Sequence, residues 1–323
     1  MIRIGLLGAS RIARGAIIEP ASATAEIEVA AVAGRSPQTA RDYAAEHGID
    51  RVAPDYESLI AADDIDLVYN ALPPSEHKGW TIAALAAQKH VLCEKPFALN
   101  AEEAVAMVDA AGDSGCVLIE AFHYRFHPAF GRVLEILRSN VIGSIREVRC
   151  HFDIAVPCVP GEFRYDKRLG GGALMDLGCY PVHWARTVVG EEPEVVSATG
   201  RWHESGVDVA MEAALEFPGG VTARISSSMS EDLPDRLDAE LCIAGEEGEL
   251  TLINPLAPHL GHELRVRARN EERTETADGE STYHHQLRHV VDVLNGATGQ
   301  VTGGADAVAN MRVLDAIYRL AGE

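Results

Sequence analysis

No C-x-x-C pair occurs in the 323 residues, and the six cysteines, at 93, 116, 150, 158, 179 and 242, sit mostly inside apolar runs. That usage argues for reduced thiols in a cytoplasmic protein rather than for a disulfide framework. Basic residues are scarce. The 28 Lys plus Arg against 49 Asp plus Glu leave a net charge of −21, which repels phosphate backbones and anionic lipid. Neither nucleic acid nor a membrane surface is expected as a partner. No apolar run approaches the roughly 20 residues of a membrane span. The opening MIRIGLLGAS lacks the basic head and long apolar stretch of a signal peptide. There is no internal repeat and no low-complexity linker. What remains is an ordinary soluble composition, 47% apolar and 24% charged, long enough for two domains with real cores.

The two halves of the chain have different periods. Up to about residue 123, short continuous apolar runs (Ile2–Leu7, Ile27–Ala33, Asp66–Leu72, His90–Cys93, Cys116–Phe122) alternate with helical patterns (Ser36–His47, Tyr56–Ala62, Ser75–Gln88, Asn100–Gly112). Strands buried on both faces and separated by helices predict a Rossmann-type, doubly wound parallel sheet. From about 145 the period becomes two, as in Val148, Cys150, Phe152, Ile154 and Val156, in 207–217 and in 237–243. Such strands, grouped without helices between them, predict a second α/β domain built on a large, mostly antiparallel open sheet. A helix is expected over Gly172–Val189, and two more, Tyr283–Leu294 and Ala305–Leu320, follow near the end. The expected division is a dinucleotide-binding domain, 1–123, and a substrate-binding and oligomerisation domain, 124–323. Arg149, His151, Asp208 and Glu212 are expected on the open face of the second sheet.

Four places carry candidate chemistry. Gly8 and Ala13 fit the first and third positions of a G-x-G-x-x-G/A turn after the first strand, with Ser10 in the place of the second glycine. The second strand ends Gly34-Arg35-Ser36 without the acid that holds an NAD ribose, which favours NADP over NAD, since Arg35 can pair with a 2′-phosphate. Arg35 also reads as a solvated turn residue. Cys93-Glu94-Lys95-Pro96 puts a lysine at the carboxyl edge of the first sheet, where open α/β folds bind ligands, although a surface ion pair fits that position equally. Asp176, Tyr180 and His183 are spaced by four and three, so one helical face presents a carboxylate, a phenol and an imidazole. A phenol of pKa about 10 needs a nearby cation to work near neutrality, and Lys95 is the candidate. Spacing alone equally allows a solvated polar face, with His183 a packing histidine. The triad His284, His285 and His289 lacks a matching cysteine or acid set, so no metal is expected.

The combination resembles the Gfo/Idh/MocA oxidoreductases over nearly the whole length. The carrying stretches are GLLGASRIA at 5–13, VYNALPPSEH at 68–77, HVLCEKP at 90–96, EAFHYRFHP at 120–128, GGGALMDLGCYPVH at 170–183 and NMRVLDAIYR at 310–319. The tyrosine form, with GGGALMDLGCYPV, looks most like the branch of NADP-dependent D-xylose dehydrogenases and dimeric dihydrodiol dehydrogenases. The resemblance implies that Tyr180 is the general acid/base, that Lys95 contacts substrate and nicotinamide, and that Asp176 binds a substrate hydroxyl or orients the catalytic group. It implies that Gly8, Ser10, Arg11 and Ile12 form the pyrophosphate turn, that Arg35 and Ser36 meet the adenosine phosphate, and that Leu72, Pro73, His77 and Glu94 line the nicotinamide side. Arg125, His127, Arg164, Tyr165 and His183 are candidates for substrate hydroxyls or for structural roles. A carbohydrate-like substrate, hydride transfer at a hydroxyl-bearing carbon and a homodimer or homotetramer through the second sheet are the implied activity and assembly. A sensor that keeps the fold without turnover is the competing reading.

Overall fold

The computed structural model describes residues 1–234, 236–269 and 271–322. These form two compact units. One comprises Met1–Phe122 and Tyr283–Val308, and the other His123–Thr282 and Ala309–Glu323.

The first unit holds a six-stranded sheet of β1 (Ile2–Leu7), β2 (Ile27–Ala33), β3 (Arg51–Val52), β4 (Leu67–Asn70), β5 (His90–Cys93) and β6 (Leu118–Glu120). The order is β3-β2-β1-β4-β5-β6 and every pair is parallel. The reversal of strand order at β1/β4 is the switch point where such sheets open a crevice. Three strands have the bounds their apolar runs predict. The other two runs shorten to β4 and β6, and β3 is too short to leave a sequence signal. A helical run follows β1: α1 (Arg11–Ala13), a π turn (Arg14–Ile18) and α2 (Glu19–Ser22). Next come α3 (Pro37–His47), α4 (Tyr56–Ile60), α5 (Pro74–Ala86) and α6 (Ala101–Ser114). Their starts are written in the sequence. The Ser36 hydroxyl accepts from Thr39 N at 3.4 Å and Asn100 Oδ1 from Glu103 N at 2.9 Å, satisfying helix donors that lack an intrahelical partner.

Residues 283–308 belong with this unit, whereas a single cut after 123 assigns them to the second. The reason is an apolar stripe on α9 (Thr282–Leu294). Leu287, Val290 and Val291 are buried in the same core as Ile4, Leu6, Val32, Tyr69 and Ile119. The chain then covers the free edge of β6: Gln300 Nε2 donates to Leu118 O at 2.6 Å and Thr302 Oγ1 to Glu120 O at 2.7 Å. Those carbonyls face away from β5, so the side chains satisfy groups that an open edge would leave bare.

The second unit is built on an eight-stranded sheet. Its strands are β7 (Ile145–Asp153), β8 (Glu194–Trp202), β9 (Asp208–Glu216), β10 (Thr222–Ser228), β11 (Asp238–Gly245), β12 (Gly248–Ile253), β13 (Glu263–Ala268) and β14 (Glu271–Glu275). The order is β14-β13-β12-β11-β7-β10-β9-β8, antiparallel except for the β7/β10 pair. Val148, Cys150, Phe152, Leu215, Ile225, Leu241 and Leu250 lie on the buried face. The other face carries Arg149 and Glu212, as the alternation predicts. Asp208 departs from that prediction, being fully buried. A register shift between Arg201 and Trp202, opposite the start of β9, breaks the alternation there. Its carboxylate accepts from Leu174 N at 2.7 Å and from the Tyr318 hydroxyl at 2.8 Å. The unit's other helices are α7 (Pro128–Arg138), α8 (Cys179–Val189) and the part of α10 (Ala305–Ala321) from Ala309 onward.

Candidate active site

In the first unit β1 ends in a turn that only glycine suits. Gly8 has φ +92°, and a Cβ there would stand 3.0 Å from Leu72 Cδ2. Its N–H donates to Ala33 O at 2.8 Å, tying the turn to β2. Ser10 takes the N-cap position of α1 in extended conformation without capping it, and its hydroxyl oxygen is buried with no protein partner. The Tyr43 hydroxyl donates to Ser10 O at 3.0 Å, and burial, then the nearby Glu46, pushes that phenol up to about 12. Ala13 is fully buried where the helix meets the sheet, while Arg11 and Ile12 face solvent. Arg35 is exposed at the end of β2, beside the Ser36 cap.

The turns after β4 and β5 are joined by His77. This buried side chain stands in the first turn of α5, with Nε2 2.8 Å from Leu72 O and Nδ1 3.0 Å from Pro96 O. Burial lowers its pKa and Lys95 adds to that, against the pull of the carbonyls. Pro73 is the N-cap of α5. Glu94 is buried; it accepts from the Tyr69 hydroxyl at 2.6 Å and from the Lys95 N–H at 3.3 Å. Lys95 therefore leaves the edge of the sheet from a braced turn, half-buried, ahead of a cis bond to Pro96.

In the second unit the helix carrying Asp176, Tyr180 and His183 starts as a π turn (Leu174–Gly178) that continues into α8. Every residue from 171 to 186 is buried, which excludes a solvated polar face. The Asp208 carboxylate caps its start. A Cβ on Gly171 would lie 2.5 Å from Arg164 O, so the glycine lets the Arg164 segment pack directly onto the turn. From there Arg164 Nε donates to Asp176 Oδ2 at 2.5 Å and Nη1 to Glu162 Oε1 at 2.8 Å. Burial alone would lower the guanidinium's pKa, but Asp176 and Glu162 together raise it.

Tyr180, 3% exposed, has its hydroxyl 2.9 Å from His123 Nε2. His183 Nδ1 is 2.5 Å from the Tyr124 hydroxyl. Each pair joins a histidine to a tyrosine: in the 3-10 turn (His123–Phe126) His123 meets Tyr180 of α8 and Tyr124 meets His183. Neither His123 nor Tyr124 is singled out by sequence, because partners 57 and 59 residues apart leave no local pattern. The remaining candidates hold structure nearby. His127 Nδ1 accepts from Ala129 N at 3.0 Å at the start of α7, Arg125 lies over the Phe130 ring, and the Tyr165 hydroxyl donates to Val156 O at 2.8 Å. Among the described residues, no group of three or more His, Cys, Asp or Glu is placed to hold a metal ion, and no helix is long and apolar enough to cross a membrane.

A parallel sheet with a glycine turn at its switch point, in one chain with a large antiparallel sheet, defines the class as a two-unit α/β protein of the dinucleotide-binding type. Residues 2–122 match the oxidoreductase family model described as an NAD-binding Rossmann fold, and 130–251 match the GFO/IDH/MocA C-terminal domain. The chain belongs to the Gfo/Idh/MocA family of oxidoreductases. It is 34% identical over 317 residues to D-xylose 1-dehydrogenase (NADP(+)) 2 of Haloferax volcanii, covering 98% of this chain and 96% of the relative. It is 33% identical to trans-1,2-dihydrobenzene-1,2-diol dehydrogenase of Xenopus tropicalis, over 74% of this chain and 72% of that one. The crystal structure of KijD10, a 3-ketoreductase from Actinomadura kijaniata in complex with NADP and TDP-benzene, superposes with a TM-score of 0.90 at 28% identity, covering 99% and 97% of the two chains.

Proposed function

We propose that this oxidoreductase is an NADP-preferring dehydrogenase/reductase acting on a hydroxyl-bearing carbon of a sugar, polyol or cyclic dihydrodiol, with Tyr180 as general acid/base, Lys95 assisting it and Asp176 orienting the substrate. The observation that carries the reading is the buried Tyr180 hydroxyl, fixed at His123 one helical turn from the Asp176–Arg164 ion pair. The names of the relatives support the substrate class and the cofactor.

The residues after β1 fit a dinucleotide. The Gly8 turn brings backbone to the head of α1, and the buried, unpartnered Ser10 hydroxyl is a donor suited to a pyrophosphate oxygen. Gly8, Ser10, Arg11 and Ile12 would hold that group, Arg35 and Ser36 the 2′-phosphate, and Leu72, Pro73, His77 and Glu94 would shape the nicotinamide side. The bound nicotinamide supplies hydride transfer. The protein supplies the rest: Tyr180 exchanges the hydroxyl proton, Lys95 offers positive charge to the oxygen as it turns anionic, and Asp176 accepts from a substrate hydroxyl.

The test is turnover of NADP with a panel of aldoses, inositols and dihydrodiols. Tyr180→Phe keeps the ring, so cofactor affinity should survive while kcat/KM falls roughly 10²–10⁴-fold. Lys95→Ala should also lower the rate. Near-normal turnover in Tyr180→Phe together with loss in His183→Ala would move the acid/base role to His183, and cofactor binding without any turnover would favour a sensor.

A further inference from the structure

We infer that His123 and Thr282 are positioning residues for Tyr180: Thr282 holds the His123 imidazole in the Nδ1–H tautomer, so that Nε2 accepts the Tyr180 hydroxyl proton. The inference rests on the acid/base reading of Tyr180 for its catalytic meaning, but its geometry stands by itself. Thr282 Oγ1 lies 3.2 Å from Leu256 O and 2.7 Å from His123 Nδ1. A carbonyl can only accept, and a threonine hydroxyl has one proton. Only one assignment satisfies both contacts: Thr282 donates to Leu256 O, and its oxygen accepts from His123 Nδ1–H. A neutral imidazole protonated at Nδ1 presents a lone pair at Nε2, and the group 2.9 Å away is the Tyr180 hydroxyl. The donors therefore run in one direction, from Tyr180 to His123 to Thr282 to the Leu256 carbonyl.

His123 and Thr282 are both buried, so water does not readily substitute for a missing member. Among the described residues, Tyr124 of the same 3-10 turn packs edge-on against Tyr180 and is bonded to His183 of the same helix. Phe152 of β7 and Trp184 of α8 supply apolar packing. A hydroxyl whose proton is directed to His123 can accept a substrate hydroxyl at its oxygen, the arrangement an oxidation needs at its outset.

The tautomer is read by 15N NMR of protein labelled in its histidine rings, with His123→Gln used to assign the signal. Near neutral pH the His123 Nε2 should resonate as the unprotonated nitrogen, and a protonated Nε2 would overturn the inference. Thr282→Val keeps the shape and removes the acceptor. The imidazole should then switch to Nε2–H and donate to the Tyr180 oxygen, which favours the phenolate. Tyrosinate absorbance assigned to Tyr180, by difference from Tyr180→Phe, should appear about one pH unit lower in Thr282→Val, and Thr282→Ser should restore the original titration. Unchanged absorbance and an unchanged rate profile in Thr282→Val would also overturn the inference. If Tyr180→Phe keeps full turnover, the acid/base reading fails, while the 15N result still decides the tautomer.

Discussion

Arg164 Nε and Asp176 Oδ2 meet at 2.5 Å across the Gly171 turn, with the aspartate nearly sealed from solvent. Removing one partner of such a pair strands the other charge, which costs more than the intact pair contributes. Arg164→Ala should lower unfolding free energy by about 2–3 kcal/mol in denaturant melts and raise KM for the hydroxylated substrate more than it lowers kcat. A variant with unchanged melting and unchanged KM would remove Arg164 from the site.

Arg35 is the residue on which cofactor choice is proposed to turn. It is exposed at the end of β2, with no acid beside it at Gly34 or Ser36. Arg35→Ala should weaken NADP by about 1–3 kcal/mol and spare NAD, measured by calorimetric titration of both. Equal affinities in the unmodified protein would refute the assignment. Gly34→Asp should shift preference toward NAD at some cost in stability, because the added Cβ stands 3.2 Å from the Ala40 methyl carbon.

His77 should make the first unit acid-sensitive. Its pKa is lowered, first by burial, so on acidification the unfolded chain takes up that proton before the folded one does. The contribution is complete above the unfolded value, about 6.5, and declines as pH falls below it. Urea midpoints should therefore drop between about pH 6.5 and 5, and less steeply in His77→Gln. Parallel pH dependences in the two proteins would show that His77 is not the group.

The open face of the second sheet is the expected subunit contact. On it Arg149 reaches Glu147 at 2.9 Å, Glu249 at 3.1 Å and the Cys242 sulfur at 3.3 Å. Like-charge repulsion should break a dimer or tetramer formed there when Arg149 is replaced by Glu. Light scattering should show an oligomer for the native chain and a smaller species for Arg149→Glu, and a native monomer at micromolar concentration would end the proposal.

The amino-acid sequence by itself determined the two sheet types, because a run buried on both faces and an alternating run are different patterns of the same side chains. It also determined the helix starts at Ser36 and Asn100 and the Gly8 turn, since caps and positive φ depend on residues adjacent in the chain. Its family stretches are legible for the same reason. Tertiary structure alone decided the rest. Residues 283–308 return to the first unit because the stripe of α9 is defined by what it packs against, which no local period reveals. Asp208 was readable only as an outward residue of a strand until a register shift turned it inward to cap the helix of Tyr180. Glu94 acquires its role from Tyr69, 25 residues away, and Tyr180 its bond from His123. A hydrogen bond between distant residues depends on the folded path of the chain, and only the tertiary structure specifies that path.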